Sequence, residues 1–381
     1  MMFLKRKHVL MVKLTFYLLY LYLAIYIFRN LLQENTPREE YKTDHLYNAS
    51  PPLVRTTAIF RNKSMAFQLH KEQKKTEKKS HGNFRRKLGK INYHEYPLAV
   101  DLRVVLDKLQ NKERVSLEVI NPHSFHYIIN PEKKCLSSKT SLLILVKSAA
   151  DHIENRNAIR KTWGNITDNT IKIVFLIGSS TFDSDIIIEN AINHDIVQEN
   201  FIDVYWNNTY KTVMAFNWAT TYCSMTRHLF FVDDDYYVNL PNLLFFLQHN
   251  NRDVSLLSGY LLPMSAPFRD NSSKWYVSVE EYPFHRYPPY LAGGAIIVSM
   301  DVAQQLAAVF PYVKYLVIDD AYLGIVAYKL GIRISLNGKI TDKHCQDWRL
   351  RLKIACHGFG NASTLLQTWK RLKDTAIKVN I

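Results

Sequence analysis

The chain has 381 residues, 47% hydrophobic and 22% charged, which supplies a sizeable core and excludes a wholly disordered protein. Its net charge of +15 is lopsided: the first 90 residues carry +13 of it, and residues 91–381 only +2. The basic excess thus lies in the N-terminal quarter and not in the body, and behind a membrane anchor it points to contact with anionic lipid or glycan rather than nucleic acid.

Residues 1–8 form a short tail containing Lys5, Arg6 and Lys7. Residues 9–28 are apolar except for Lys13, and as a helix they could cross a hydrocarbon layer of roughly 30 Å, with Lys13 snorkelling outward. A cleavable signal peptide would have a shorter apolar region followed by small residues, which Phe28-Arg29-Asn30-Leu31-Leu32 does not provide. The expectation is therefore a retained transmembrane signal anchor, its N-terminus cytosolic by the positive-inside rule and everything past Arg29 luminal. Residues 29–95 read as a disordered stem, since the basic runs at 71–75 and 85–87 lack apolar periodicity. Residues 96–381 are the folded luminal body.

Cys135, Cys223, Cys345 and Cys356 all lie in that body. A luminal compartment permits two disulfides among three connectivities, and the spacing does not suggest zinc. Glycosylation acceptors occur at Asn48, Asn62, Asn165, Asn207, Asn271 and Asn361, with Pro51 weakening the first.

Within the body, apolar runs alternate with helical patterns. Residues 142–146 read as a strand, 155–163 as a helix, 171–177 as a strand, 211–225 as a helix and 229–232 as a strand. The segment 240–249 returns from that strand. After a stretch rich in aromatics and prolines at 276–290 come an apolar run at 295–298, a helix over 302–310 and another after Asp319-Asp320. The alternation predicts βαβ units and a mainly parallel sheet.

Asp233-Asp234-Asp235 directly follows Leu229-Phe230-Phe231-Val232. A buried strand ending in carboxylates delivers oxygen ligands to one point at a sheet edge, where Mg²⁺ or Mn²⁺ could be held against a diphosphate. Ligands of open α/β sheets bind outside the carboxyl ends of the strands, where this cluster falls. A solvated acidic turn or a calcium site is the alternative reading. Arg156 and Arg160, four apart, share a helix face and could meet a diphosphate, or could form a salt-bridged face. Asp319-Asp320 opens a helix and could simply cap it.

Five blocks together resemble the Golgi β1,3-galactosyltransferase and β1,3-N-acetylglucosaminyltransferase family, distantly related to Fringe. They are Arg156-Asn157-Ala158-Ile159-Arg160-Lys161-Thr162-Trp163-Gly164; Phe231-Val232-Asp233-Asp234-Asp235-Tyr236-Tyr237-Val238; Lys274-Trp275-Tyr276 with Tyr287-Pro288-Pro289-Tyr290-Leu291-Ala292-Gly293-Gly294; Ile318-Asp319-Asp320-Ala321-Tyr322-Leu323-Gly324; and Cys356-His357-Gly358. The variant Phe231-Val232 before the triplet looks like the brainiac branch.

This resemblance implies a single GT-A-like α/β catalytic domain and an inverting enzyme moving galactose from UDP-galactose to the 3-hydroxyl of a sugar on a glycolipid or glycoprotein. N-acetylglucosamine transfer to glycolipid is the alternative donor reading, and an inactive Golgi binding or chaperone subunit the alternative of another class. The implied roles are Asp320 as catalytic base, and Arg156, Arg160, Asp233, Asp234, Gly293 and Gly294 at the nucleotide sugar. Trp275, Tyr276 and Tyr290 would touch acceptor sugar, and Asp235 and His357 would hold Mn²⁺. Asp319 and Ala321 depart from the family's glutamate and valine, which puts the support of the base in question. The implied setting is the Golgi membrane, single-pass type II, with a homo-oligomer compatible with it.

Overall fold

The computed structural model describes residues 100–136, 140–250 and 255–379. The tail, the apolar span 9–28, the stem 29–95, Asn48 and Asn62 lie outside the described residues. Among those described, no helix is long and apolar enough to cross a membrane.

Helix α1 (Leu102–Gln110) is capped by Asp101, whose side chain accepts from the Arg103 N–H, and it precedes the short edge strand β1 (Tyr127–Ile129). Then come β2 (Leu142–Lys147), α2 (Ile153–Lys161), β3 (Ile171–Ser179), α3 (Asp183–Asn193) and β4 (Ile196–Ile202). Helix α4 (Asn208–Tyr222) leads into β5 (His228–Asp233), followed by β6 (Tyr236–Val238) and α5 (Leu240–His249). The chain continues through β7 (Leu257–Leu262), β8 (Tyr290–Ser299), α6 (Met300–Val309), α7 (Asp319–Leu330), β9 (Ser335–Leu336), β10 (Ile340–Thr341), β11 (Ala355–His357) and α8 (Ala362–Val379).

The large sheet runs β1-β4-β3-β2-β5-β8-β7-β9. Its centre, β4-β3-β2-β5, is parallel, and β2, β5 and most of β3 read as apolar runs because helices cover both faces, whereas β4 carries Gln198, Glu199 and Asn200. Beyond β5 the expected mainly parallel sheet gives way to a mixed one. The apolar run at 295–298 lies inside a ten-residue strand, β8, which returns antiparallel to β5, with Leu229 opposite Val298 and Val232 opposite Ala295. A doubly covered strand carries the same apolar run in either direction, so composition could not give its sense.

One face of the sheet is packed by α1, α4, α6 and α7, where Phe216 stacks on Phe231 at 4.5 Å. The other carries α2, α5, α8 and a small sheet, β10-β11-β6. Two disulfides settle the connectivity as Cys135–Cys223 and Cys345–Cys356, the second leading straight into His357.

Candidate active site

β2 and β5 pair in register, so Lys147 at the end of one lies beside Asp233 at the end of the other. The Lys147 ammonium stands 3.2 Å from Asp233 Oδ1 and 3.1 Å from Asp319 Oδ2, the latter in the first turn of α7. Burial opposes the lysine's charge, but the two carboxylates outweigh it and its pKa is raised. For Asp233 burial wins over Lys147, and its carboxyl is pushed up to about 6. Asp319 resists the same burial because Lys147 and the Thr212 hydroxyl, which donates to Oδ2 at 2.7 Å, hold it below the usual carboxylate range.

Asp320 is the opposite case. It accepts the Gly293 N–H at 3.1 Å and the Ala321 N–H at 2.7 Å, yet burial and the charge of Asp319 push it up to about 7. A carboxyl poised there is half-ionised near neutral pH, the condition for a general base.

Asp234 is buried and supports the loop: it accepts the Ser148 hydroxyl at 2.6 Å and lies 2.9 Å from His152 Nδ1, a hydrogen bond that raises the histidine's pKa. Asp235 Oδ2 lies 3.0 Å from His357 Nε2, while its Oδ1 is buried with no hydrogen-bond partner. The pairing of β6 with β11 brings these two together, with His357 opposite Tyr236. Gly358, at φ +100°, then turns the chain so that Phe359 N–H donates to the Asp235 carbonyl at 2.8 Å.

A cleft of about 270 Å³ opens over these strand ends, walled by Lys147, His152, Tyr205 and Lys211 and floored by the aspartate triplet. Lys211 is buried and committed, donating to the Ser148 carbonyl at 2.6 Å and pairing with Asp203 at 2.7 Å.

The two arginines correct the sequence expectation. Arg156 is fully buried and its five N–H donors go to Glu189, Ser148 Oγ, Ala149 O and Ala150 O, leaving none for a diphosphate. Arg160 pairs with Asp195 and Glu189 at 2.7 Å each. The pair therefore clamps α2 to α3 and, through Ser148, braces Asp234. Trp163 is core, its Nε1 donating to the Tyr236 carbonyl.

Other assignments shift as well. Gly293 gives its N–H to Asp320, and a side chain at Gly294 would collide with the Tyr236 ring, so close protein packing already requires glycine there. Tyr290 is buried, edge-on to Tyr287, and is packing rather than a sugar platform. Trp275 is 43% exposed with Lys274 over its ring at 5.0 Å, and Tyr276 is half-buried. Asn165, Asn271 and Asn361 are exposed. At Asn207 the side-chain amide donates to the Ile202 carbonyl at 2.8 Å and Thr209 of its acceptor triplet is buried.

Lys147, Thr212 and Tyr205 escaped the sequence reading. Lys147 carried a usable signal, a single cation closing an apolar strand parallel to the one that ends in the triplet. Thr212 and Tyr205 carried none, because only the fold sets Thr212 of α4 beside Asp319 of α7 and the turn before α4, with Tyr205, beside the cleft.

A parallel-centred α/β sheet with a carboxylate cluster and a poised carboxyl at its strand ends defines a candidate group-transfer enzyme. The family model for Galactosyltransferase matches residues 154–337. "Beta-1,3-galactosyltransferase brn" of Drosophila melanogaster is 37% identical over 251 residues, 61% of this chain and 74% of the relative. "Lactosylceramide 1,3-N-acetyl-beta-D-glucosaminyltransferase" of Rattus norvegicus is 34% identical over 282 residues, covering 68% and 73%. "Beta-1,3-galactosyltransferase 1" of Homo sapiens is 36% identical over 221 residues, covering 56% and 68%. Among solved structures, the galactosyltransferase LgtC aligns over 60% of this chain and 96% of its own at 10% identity and a TM-score of 0.33. The chain belongs to the galactosyltransferase family.

Proposed function

We propose that the protein is an inverting β1,3-glycosyltransferase that moves galactose from UDP-galactose to the 3-hydroxyl of an acceptor sugar on lipid or protein. The observation that carries this reading is Asp320: a carboxyl raised to about 7, oriented by the Gly293 N–H and set beside the triplet through the Lys147–Asp319 bridge. Asp320 would take the proton of the acceptor hydroxyl as its oxygen attacks the anomeric carbon. Asp319 remains ionised and keeps Lys147 in place, so the departure from the family's glutamate is answered by a shorter acid bonded to Thr212 and Lys147.

The residues fit a manganese ion. Asp235 offers a buried oxygen without a partner, and His357 adds an imidazole beside it, a donor set suited to Mn²⁺. Among the described residues no three such side chains converge, so the remaining positions would fall to donor phosphate oxygens and water. When bound, the ion supplies positive charge at the departing diphosphate. The wall of the cleft would hold the nucleotide sugar, with Asp233 at its floor.

The setting proposed is a Golgi membrane, with residues 9–28 as a type II anchor, 29–95 as stem and 96–381 as the luminal catalytic domain. Retention of both the triplet and Asp320 weighs against an inactive subunit. N-acetylglucosamine is the second donor reading, the sugar in the rat relative's name, but the two galactosyltransferase relatives reported are the more similar in sequence. A donor screen tests the proposal: detergent-solubilised full-length protein, each UDP-sugar in turn, and NMR of the product linkage. Transfer of galactose in a β1,3 linkage is the expected result. Transfer of N-acetylglucosamine alone would replace the donor, and an α-linked product would overturn the mechanism.

A further inference from the structure

Away from the cleft, the body gathers its positive charge on one segment. Residues 91–381 carry a net charge of only +2, yet 339–373 hold eight basic residues against two acidic ones. One of those acids, Asp347, is already paired with Arg371 at 2.6 Å. The rest of the body is therefore slightly acidic.

The same segment exposes large apolar side chains, and contacts join them to the cations in one face. Behind the short helix Asp347–Leu350, the Leu352 and Lys353 N–H groups both donate to the Arg349 carbonyl at 2.9 Å, which keeps Trp348, Arg349, Leu352 and Lys353 within one turn. The Lys353 ammonium reaches the Gly338 carbonyl at 2.5 Å, and beside Gly338 the Lys339 ammonium lies over the Phe245 ring of α5 at 5.5 Å. Arg349 lies over Trp348 at 5.0 Å. Leu352 is 62% exposed, Trp348 56% and Phe245 53%, so three large apolar groups stand in water among cations. Such a patch marks an interaction surface.

Its chemistry selects the partner. An anionic polysaccharide would satisfy the cations and leave Leu352 in water, while a neutral apolar surface would cover Leu352 and strand the cations. A bilayer with acidic headgroups serves both, because tryptophan and leucine enter the boundary between headgroups and acyl chains while lysine and arginine stay at the anionic surface. We propose that this face docks on an acidic lipid bilayer and holds the body there, in addition to any anchor in residues 9–28. The face stands apart from the donor cleft: Lys339 and Lys353 precede β10 and β11, whereas His357 ends β11, three residues or roughly 10 Å further on. The proposal rests on neither the donor reading nor the role of Asp320.

All six tryptophans fall at 163–369 and none in residues 9–28, so tryptophan emission reports the body alone. Full-length protein is reconstituted in vesicles of phosphatidylcholine brominated in its acyl chains, alone or mixed with phosphatidylserine, whose headgroup has no sugar and cannot occupy an acceptor site. Quenching is expected in the mixed vesicles and should be lost in phosphatidylcholine alone, at raised salt, in Trp348→Phe and in Lys339→Gln with Arg349→Gln. The salt arm uses the wild-type chain and needs no variant to fold. Equal quenching with and without phosphatidylserine, or quenching unchanged in Trp348→Phe, overturns the proposal. So does an emission shift with heparin that Trp348→Phe abolishes, if the mixed vesicles give no quenching, because the face then belongs to an anionic glycan. Flotation with phosphatidylcholine alone reports the 9–28 anchor separately, and if it fails, quenching in the mixed vesicles still decides the face.

Discussion

Asp319 and Asp320 are consecutive residues with opposite electrostatic fates. Asp319 faces Lys147 and Thr212 and is held below the usual carboxylate range, while Asp320 faces Asp319 and two backbone N–H groups and rises to about 7. The first turn of α7 would favour a negative charge at either position, so the difference comes from their neighbours. A pair of carboxyls pushed apart in this way divides the work: one stays charged to hold a cation, the other exchanges a proton.

That division predicts the kinetics. Asp320→Asn should lower turnover by roughly 10²–10⁴-fold with donor affinity retained, as measured by calorimetry and product formation. In the wild type, kcat/KM should fall on the acid side through about pH 7, where Asp320 takes up its proton. Asp319→Asn removes the like charge and should move that acid limb to lower pH. An unmoved limb would separate Asp320 from the pH profile.

The proposed manganese site would rest on Asp235 and His357. Asp235→Ala should abolish manganese-dependent donor binding, because it removes the buried oxygen that no protein group satisfies. His357→Ala should weaken binding less, since carboxylate and phosphate oxygens remain. Titration of the chelated protein with Mn²⁺ and UDP checks both, and full activity in chelator would rule the ion out.

The order of elements around the site was legible because the parallel centre announces itself in apolar runs, and the triplet and Asp319-Asp320 close or open regular elements. Arg156 and Arg160 were misread for a definite reason. Their four-residue spacing fixes a shared face but not whether that face is covered, and α3, which carries Glu189, has a weak pattern of its own: Ile186 is buried while Ile187, Ile188 and Ile192 are exposed. Lys147 has a sequence signal, a lone cation closing an apolar strand, but a lysine at a strand end is ordinarily solvated, so that signal does not by itself assign a role. Only the register with Asp233 and the approach of Asp319 give it a role.

Arg156 supplies a sharp test of that correction. Arg156→Ala leaves Glu189 buried with one partner and should cost about 3–5 kcal/mol of stability in urea denaturation, as for other broken buried pairs. Any loss of UDP affinity should follow the loss of folded protein. A stable variant with selectively weakened diphosphate binding would restore the arginine to the donor site.

The raised Asp320 carboxyl also has a cost in stability, and its pH dependence has a fixed sign. An unfolded chain releases the Asp320 proton near pH 4, the ordinary aspartate value, whereas the folded protein holds it to about 7. Between those values the folded state carries the extra proton, so this group's contribution to stability declines as pH rises from about 4 to about 7 and stays low above that. Asparagine does not titrate, so Asp320→Asn should melt above the wild type at pH 8, with the advantage shrinking toward pH 4. Asp233, raised to about 6, slopes the same way and will leave part of the decline in the variant. For Asp319 the sign reverses: its carboxyl is held low, so its stabilisation is present above the unfolded value and is lost as pH falls. Asp319→Asn should therefore melt below the wild type at pH 8 and approach it in acid. Thermal melts of both variants across this range measure the two slopes, and parallel curves for the pair would mean that the neighbouring carboxyls do not differ as the geometry requires.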